Sequence, residues 1–349
     1  MNPLRVPGIL LRRYQMKRRN EGPFSLEEIL RASPLPTAAL VDLGAFKKPL
    51  QRIPDGIDKI VLMEDRRPEF FLGFEEYEPE KIVPLNRQPI REKWTQAELA
   101  ELVRQLHSQG KKVLIGFWGF WADGVSRKPT AWMAKHPELR PLKRGESDIG
   151  NPFATLQPEG ITFAEYIALQ YQKLYNAFHF NGTFLGDGLC GRRSLWHPEL
   201  YCDQAYNAII WSLFYATVAE KVHATGGQLW AYDCMGLSNR EALLHGADYN
   251  LLAKAGLDVL GFQSYSAWSE YLKVPRKYGL YQDMVNMATV ETNLSGTPTQ
   301  LYYSLEMGDS VEGWHPLHRT TRRQMKILDP IADGRLLVWA NELFANFTP

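Results

Sequence analysis

Cysteine is scarce in this sequence. The three present in 349 residues, Cys190, Cys202 and Cys234, are odd in number and show no CxxC spacing, so they read as reduced thiols and not as a structural zinc site. Surplus charge is also missing: 40 basic residues stand against 39 acidic ones, a net +1, so no global field draws DNA, RNA or an anionic membrane surface. A neutral or small partner is expected. No apolar run approaches the length of a membrane span. The opening stretch "MNPLRVPGILLRRYQMKRRNEG" has too short an apolar segment, with arginines on the wrong side, for a signal peptide. The expected location is cytoplasmic, or secreted if a signal has been removed. Sequons at Asn181, Asn293 and Asn346 do not decide between these, because such triplets arise often by chance. The eight histidines form no HxH or HExxH, and neither a metal nor a cofactor is expected.

What the chain does have is 45% hydrophobic residues and an alternation of short β-type runs with longer segments of helical period. The runs are "TAALVDLG", "DKIVLMED", "KVLIGFW", "GTFLGD", "GQLWAYD", "DVLGFQSY", "QLYYSLE" and "RLLVWANE", eight in all. Several of the segments between them begin at Ser, Thr or Asp and finish at Gly, as capped helices do. The stretch "AIIWSLFYATVA" is apolar over most of its circumference and is expected to be the most deeply buried helix. This pattern predicts a (β/α)₈ barrel, a fold that needs about 250 residues and accepts insertions. An open doubly wound sheet is the competing fold, because the link from Phe46 to Gly56 is short, holds two prolines and shows no clear helix. The predicted organisation is an N-terminal arm over 1–24 and one barrel domain over 25–349. The surplus length falls into long insertions after the second and third strands, on the face where barrels build their sites.

Acidic residues gather at the predicted strand ends: Glu64 and Asp65 at the second, Asp123 after the third, Asp187 at the fourth, Asp233 at the fifth, Glu306 at the seventh, and Asn341 with Glu342 at the eighth. Large aromatics accompany them, namely Trp118, Trp121, Trp230, Tyr265, Trp268, Trp314 and Trp339. Pyranose rings pack flat C–H faces against aromatic rings while their hydroxyls call for carboxylates, amides and arginines, so this mixture suits sugars. Trp230 and Trp339 lie within strands and fit the core equally well. Asp187 sits in "GTFLGDGLCGRR", where flanking glycines leave space for a ligand; Asp-Gly is also a common turn. Asp233 is not needed as a helix cap, since Ser238 is better placed for that. Arg192 either contacts ligand or steadies its loop.

The segment "AWMAKHPELRP" followed by "ITFAEYIALQYQKLYNAFHFNGTFLGDG" resembles the retaining glycoside hydrolase barrels of the alpha-amylase, alpha-galactosidase and alpha-glucosidase group. There an "HPE" loop, a helix and a short strand lead to a nucleophilic Asp. The resemblance implies Asp187 as nucleophile, with Asp233 and Glu306 in the positions of the acid/base and a further carboxylate. It covers about a third of the chain. The chain departs from the pattern in having Leu185 where the amylase type has arginine, Asp and not Glu at the fifth strand, no His-Asp pair at the seventh, and Gln263, Ser264 and Tyr265 on the sixth strand, where other members carry their acid.

Glycoside cleavage needs one charged and one protonated carboxyl group in unlike environments. The residues at the strand ends therefore predict a glycosidase acting on an oligosaccharide or polysaccharide, with Asp187, Asp233 and Glu306 catalytic and Trp118, Trp121, Asp123, Arg192, Tyr265, Trp268, Trp314 and Asn341 binding substrate. A non-catalytic sugar-binding barrel and a metal-dependent hydrolase are the alternative readings. Oligomeric state is not readable from the sequence.

Overall fold

The computed structural model describes residues 26–32, 34–43, 53–64, 95–118, 135–139, 152–186, 204–232, 236, 238–244, 246–264, 279–307, 318–338 and 340. The strands are β1 (Thr37–Asp42), β2 (Ile57–Glu64), β3 (Lys112–Trp118), β4 (Gly182–Gly186), β5 (Gln228–Tyr232), β6 (Val259–Phe262), β7 (Gln300–Glu306) and β8 (Gly334–Val338). Each pairs in parallel with the next, and β8 returns to β1 through Thr37↔Arg335, Ala38↔Leu336 and Ala39↔Leu337, which closes a barrel and excludes the open sheet. The expected arm, most of both expected insertions and residues 44–52 lie outside the described residues.

The helices are α1 (Leu26–Ala32), α2 (Gln96–Ser108), α3 (Phe163–Phe178), α4 (Gln204–Ala224), α5 (Asn239–Leu244), α6 (Tyr249–Lys254), α7 (Leu280–Leu294) and α8 (His318–Leu328). Their starts follow from local chemistry. Thr95 and Thr162 each accept a hydrogen bond from the backbone of a glutamate three residues on, and that glutamate reaches back, which makes a capping box at α2 and at α3. Ser238 and Glu241 make the same exchange at α5. Among the described residues no helix is long and apolar enough to cross a membrane.

Two apolar layers result. Alternate strand residues such as Ala39, Ile60, Val113, Leu185, Leu260 and Leu337 face the helices, while Leu40, Val61, Leu114, Phe184, Trp230, Tyr302 and Leu336 fill the barrel axis. The expectation for α4 needs correction. Trp211, Phe214, Tyr215 and Val218 are buried, yet Tyr206 is 62% exposed, Ile209 52% and Leu213 50%. A helix in the outer ring touches the sheet and its neighbours over only part of its circumference, so apolar residues all round leave a surplus on the outer side.

A repeated device joins strands at the N-terminal edge of the barrel. Asn181 Oδ1 accepts from the Val113 N–H at 2.8 Å, Asp258 Oδ2 from the Leu229 N–H at 2.7 Å and Asp333 Oδ2 from the Leu301 N–H at 2.8 Å. Each acceptor directly precedes an even-numbered strand and holds the odd-numbered strand beside it. Two of the three also bind a histidine from the end of the helix before that odd-numbered strand, His107 of α2 to Asn181 at 3.0 Å and His223 of α4 to Asp258 at 2.8 Å. Between β1 and β2 the register shifts at Thr37, and the corresponding aspartate, Asp58, pairs instead with Lys59 at 2.5 Å.

The seam at β8 is held by a buried charge. Arg335 is fully buried; its Nε and Nη2 donate to the two carboxylate oxygens of Asp329 at 2.9 and 2.7 Å, and its Nη1 donates to the Ile29 carbonyl at 3.0 Å. The Tyr303 hydroxyl donates to Asp329 at 2.6 Å. This knot ties β8, β7, the end of α8 and α1 together. Arg335→Leu strands the Asp329 charge and should lower stability by about 3–5 kcal/mol. Chemical denaturation of wild type and variant checks this as a fall in midpoint with unchanged slope.

Candidate active site

The barrel interior decides which end can receive a ligand. At the N-terminal end Lys59 Nζ lies 3.4 Å from the Tyr302 hydroxyl and over the Trp230 and Tyr302 rings, at 5.9 and 5.7 Å from their centroids. Burial, with the Asp58 and Asp333 charges nearby, pushes the Tyr302 phenol well above its ordinary pKa, so it stays protonated. Above this floor Trp230 packs edge-on against Tyr302 at 5.0 Å and Phe184 lies 5.6 Å from Tyr232. Trp230 is therefore core. Two glycines make room for the rings: a Cβ on Gly261 would lie 2.8 Å from Tyr232 Cδ2, and one on Gly334 would fall onto the Tyr302 ring. The axis is thus filled from the N-terminal side as far as Tyr232, which leaves the C-terminal ends of the strands to build a site.

Of the sequence-predicted residues, two close described strands. Trp118 ends β3 opposite Gly186, and Glu306 ends β7 opposite Val338. Trp118 follows Leu114 and Gly116 at intervals of two, and Glu306 follows Tyr302 and Ser304, so both hold register positions of the axis-facing set. The side chains of these two, and all of Asp187, Asp233, Trp121, Asp123, Arg192, Tyr265, Trp268, Trp314 and Asn341, lie outside the described residues. Gly186 and Tyr232, which precede Asp187 and Asp233 in the chain, are Cα partners of the β4–β5 ladder.

Sequence reasoning missed a buried polar cluster just outside the barrel wall at the ends of β6 and β7. The Ser264 hydroxyl donates to Asp283 at 2.6 Å and accepts from Gln324 Nε2 at 2.7 Å; Gln324 also donates to the Ser304 carbonyl at 3.0 Å. The Ser264 N–H donates to Ser304 Oγ at 3.0 Å. All four residues are buried. The cluster ties both strand ends to α7 and α8 and so fixes the backbone two residues before Glu306. In the sequence, Asp283 looks like an ordinary acidic residue in the first turn of a helix, and only its burial betrays it. Among the described residues no group of three or more His, Cys, Asp or Glu is placed to hold a metal ion.

The "HPE" motif is structural where the structure describes it. His136 is buried, its Nδ1 lies 2.9 Å from Glu138 Oε1, and Glu138 accepts the Gln157 N–H at 3.0 Å across the loop. Burial raises the Glu138 pKa, but hydrogen bonds from its own backbone, from His136 and from Gln157 outweigh this and hold it below the usual carboxylate value.

The fold now has counterparts among solved structures. The PgaB (BpsB) glycoside hydrolase domain from Bordetella bronchiseptica aligns over 90% of this chain and 96% of its own, at 13% identity and a TM-score of 0.54. The chain is a (β/α)₈ barrel of the same architecture. A class V chitinase from Pseudomonas fluorescens Pf-5 aligns over 87% of this chain and 94% of its own, at 12% identity and a TM-score of 0.50. At these identities the likeness is one of fold. No family model matches the sequence, and no curated protein matches it.

Two outcomes follow from this geometry. Asp283→Ala leaves the Ser264 hydroxyl short of an acceptor and should lower stability by about 1–3 kcal/mol, read as a fall in Tm by calorimetry. A glutamate whose folded pKa is depressed contributes stability above its unfolded pKa and loses it as pH falls through the folded value. The difference in unfolding free energy between wild type and Glu138→Gln should therefore be largest at neutral pH and shrink on acidification below about 4.5, the ordinary value for the side chain.

Proposed function

We propose that the chain is a glycoside hydrolase acting on an oligosaccharide or polysaccharide, with Asp187 as nucleophile in a retaining mechanism and Asp233 and Glu306 as the acid/base and supporting carboxylates. The observation that carries this reading is a closed barrel whose axis is filled from the N-terminal side, which leaves the mouth to the ends of β4, β5 and β7. Gly186 and Tyr232 are paired, so Asp187 and Asp233 follow partnered residues on neighbouring strands. Glu306 closes β7, three strands round the barrel from β4, on the register that faces the axis.

The chemistry asks for two unlike carboxyl environments. Asp187, flanked in the sequence by Gly186 and Gly188, is the group that stays ionised and attacks the anomeric carbon. Its partner, against an apolar wall, keeps a proton for the leaving oxygen and then activates water. Trp118, Trp121, Trp268 and Trp314 supply that wall and stack on sugar rings, and Asp123, Tyr265 and Asn341 bind hydroxyls. The filled floor supports the same reading, because it confines substrate to the C-terminal mouth. The two solved barrels named above, a glycoside hydrolase domain and a chitinase, lend it further support.

Asp187→Asn should reduce turnover of aryl glycosides by about 10²–10⁴-fold while leaving the fold intact by circular dichroism. Azide added to Asp187→Ala should return a glycosyl azide of inverted configuration, whereas azide with the variant lacking the acid/base should return the retained one. Hydrolysis that survives Asp187→Asn sinks the nucleophile assignment. A wild type that binds oligosaccharides and turns over none of a broad panel is a binding barrel.

A further inference from the structure

At the end of β6 the Ser264 cluster is hydrogen-bonded, and the side chain beside it is not matched among the described residues. Gln263 follows Phe262 and is only 6% exposed. Its Oε1 is buried and has no hydrogen-bond partner among the described residues.

Strand alternation gives its side. Val259 belongs to the interior core, and the Cβ direction of Gly261 runs to the ring of Tyr232, itself in that core, so Gln263 takes the next axis-facing position, at the C-terminal mouth. Its backbone is clamped from both flanks. On one, Ser264 is held by Ser304, Asp283 and Gln324. On the other, Gly236 packs so closely that a Cβ there would lie 2.5 Å from the Gln263 carbonyl oxygen, and the Gly236 carbonyl is fixed by Asn286 Nδ2 at 2.9 Å. The fold thus fixes the backbone of a residue whose side-chain oxygen has no partner among the described residues. A buried polar group left unmatched costs folding free energy, and one that faces the mouth can recover that cost by bonding a ligand.

We propose that Gln263 is a ligand-binding residue of the mouth, whose carboxamide hydrogen-bonds the hydroxyl groups of a bound sugar. A carboxamide presents a donor and an acceptor side by side without charge. Vicinal hydroxyls of a pyranose present the complementary pair, while a charged ligand is matched by charge. That the ligand is a sugar rests on the glycoside hydrolase reading above; that Gln263 faces a ligand rests on its own burial and lack of a partner among the described residues.

The test uses Gln263→Leu and Gln263→Glu of the full chain, with cellotetraose, chitotetraose and maltotetraose titrated by calorimetry and thermal unfolding followed without sugar. Wild type binds at least one tetrasaccharide. Gln263→Leu unfolds at the wild-type temperature or above, because an orphan group has been replaced by an apolar one, and its affinity falls about tenfold or more. Gln263→Glu keeps an acceptor, loses the donor and binds about threefold or more weakly. Unchanged affinity in Gln263→Leu, or a lowered unfolding temperature at unchanged affinity, overturns the assignment and leaves the hydrolase reading standing. If Gln263→Leu does not fold, unchanged affinity in Gln263→Glu overturns it instead. A wild type that binds none of the three sugars overturns the sugar reading itself, and this assignment with it.

Discussion

Everything that the barrel offers a ligand depends on the seam between β8 and β1. Their ladder has three Cα pairs, against five between β7 and β8. A (β/α)₈ sheet that fails to close has two edges and no mouth. The fully buried Arg335 lies on this short ladder as the partner of Thr37. A guanidinium out of water is tolerated only when its donors are matched, and Asp329 together with the Ile29 carbonyl matches them in directions that run along α8 and across to α1. Closure is thus secured by a helix that precedes the first strand and by one that precedes the last.

The architecture was legible because barrel strands buried on both faces read as short apolar runs between capped helices. β3 and β7 occupy the stretches read from sequence from end to end, and the remaining six differ by a few residues at their ends, where pairing with a neighbour and not local pattern sets the limit. What stayed illegible was anything that depends on which side a residue faces. The tryptophan of β5 looked as suitable for sugar as for the core, and only the ring of Tyr302 beside it decides for the core. Asn181 looked like a glycosylation acceptor and is a strand cap; His107 and His223 looked scattered and occupy equivalent places six residues before Val113 and Leu229. Of the proposed site, the strand ends at Trp118 and Glu306 were readable in sequence, while β4 and β5 stop one residue before Asp187 and Asp233; the cluster around Ser264 was not readable, since it joins residues from β7, α7, α8 and the segment after β6.

The division of labour within the barrel follows from these contacts. Toward the N-terminal edge the side chains satisfy one another: the carboxylates and amide before β4, β6 and β8 take strand N–H groups, and Lys59 is enclosed by Asp58, Tyr302 and Trp230. Toward the other edge the supports are satisfied while Gln263 Oε1 has no partner among the described residues.

The glycines inside the barrel carry a consequence for how the chain can change. Gly261 exists in relation to the Tyr232 ring, and Gly334 in relation to the Tyr302 ring. Each pair shares one volume, so a methyl group gained on one strand must be matched by atoms lost from the strand beside it. A side chain at Gly261 or Gly334 is therefore accommodated only where the facing aromatic shifts or shrinks, so the two positions of each pair constrain one another.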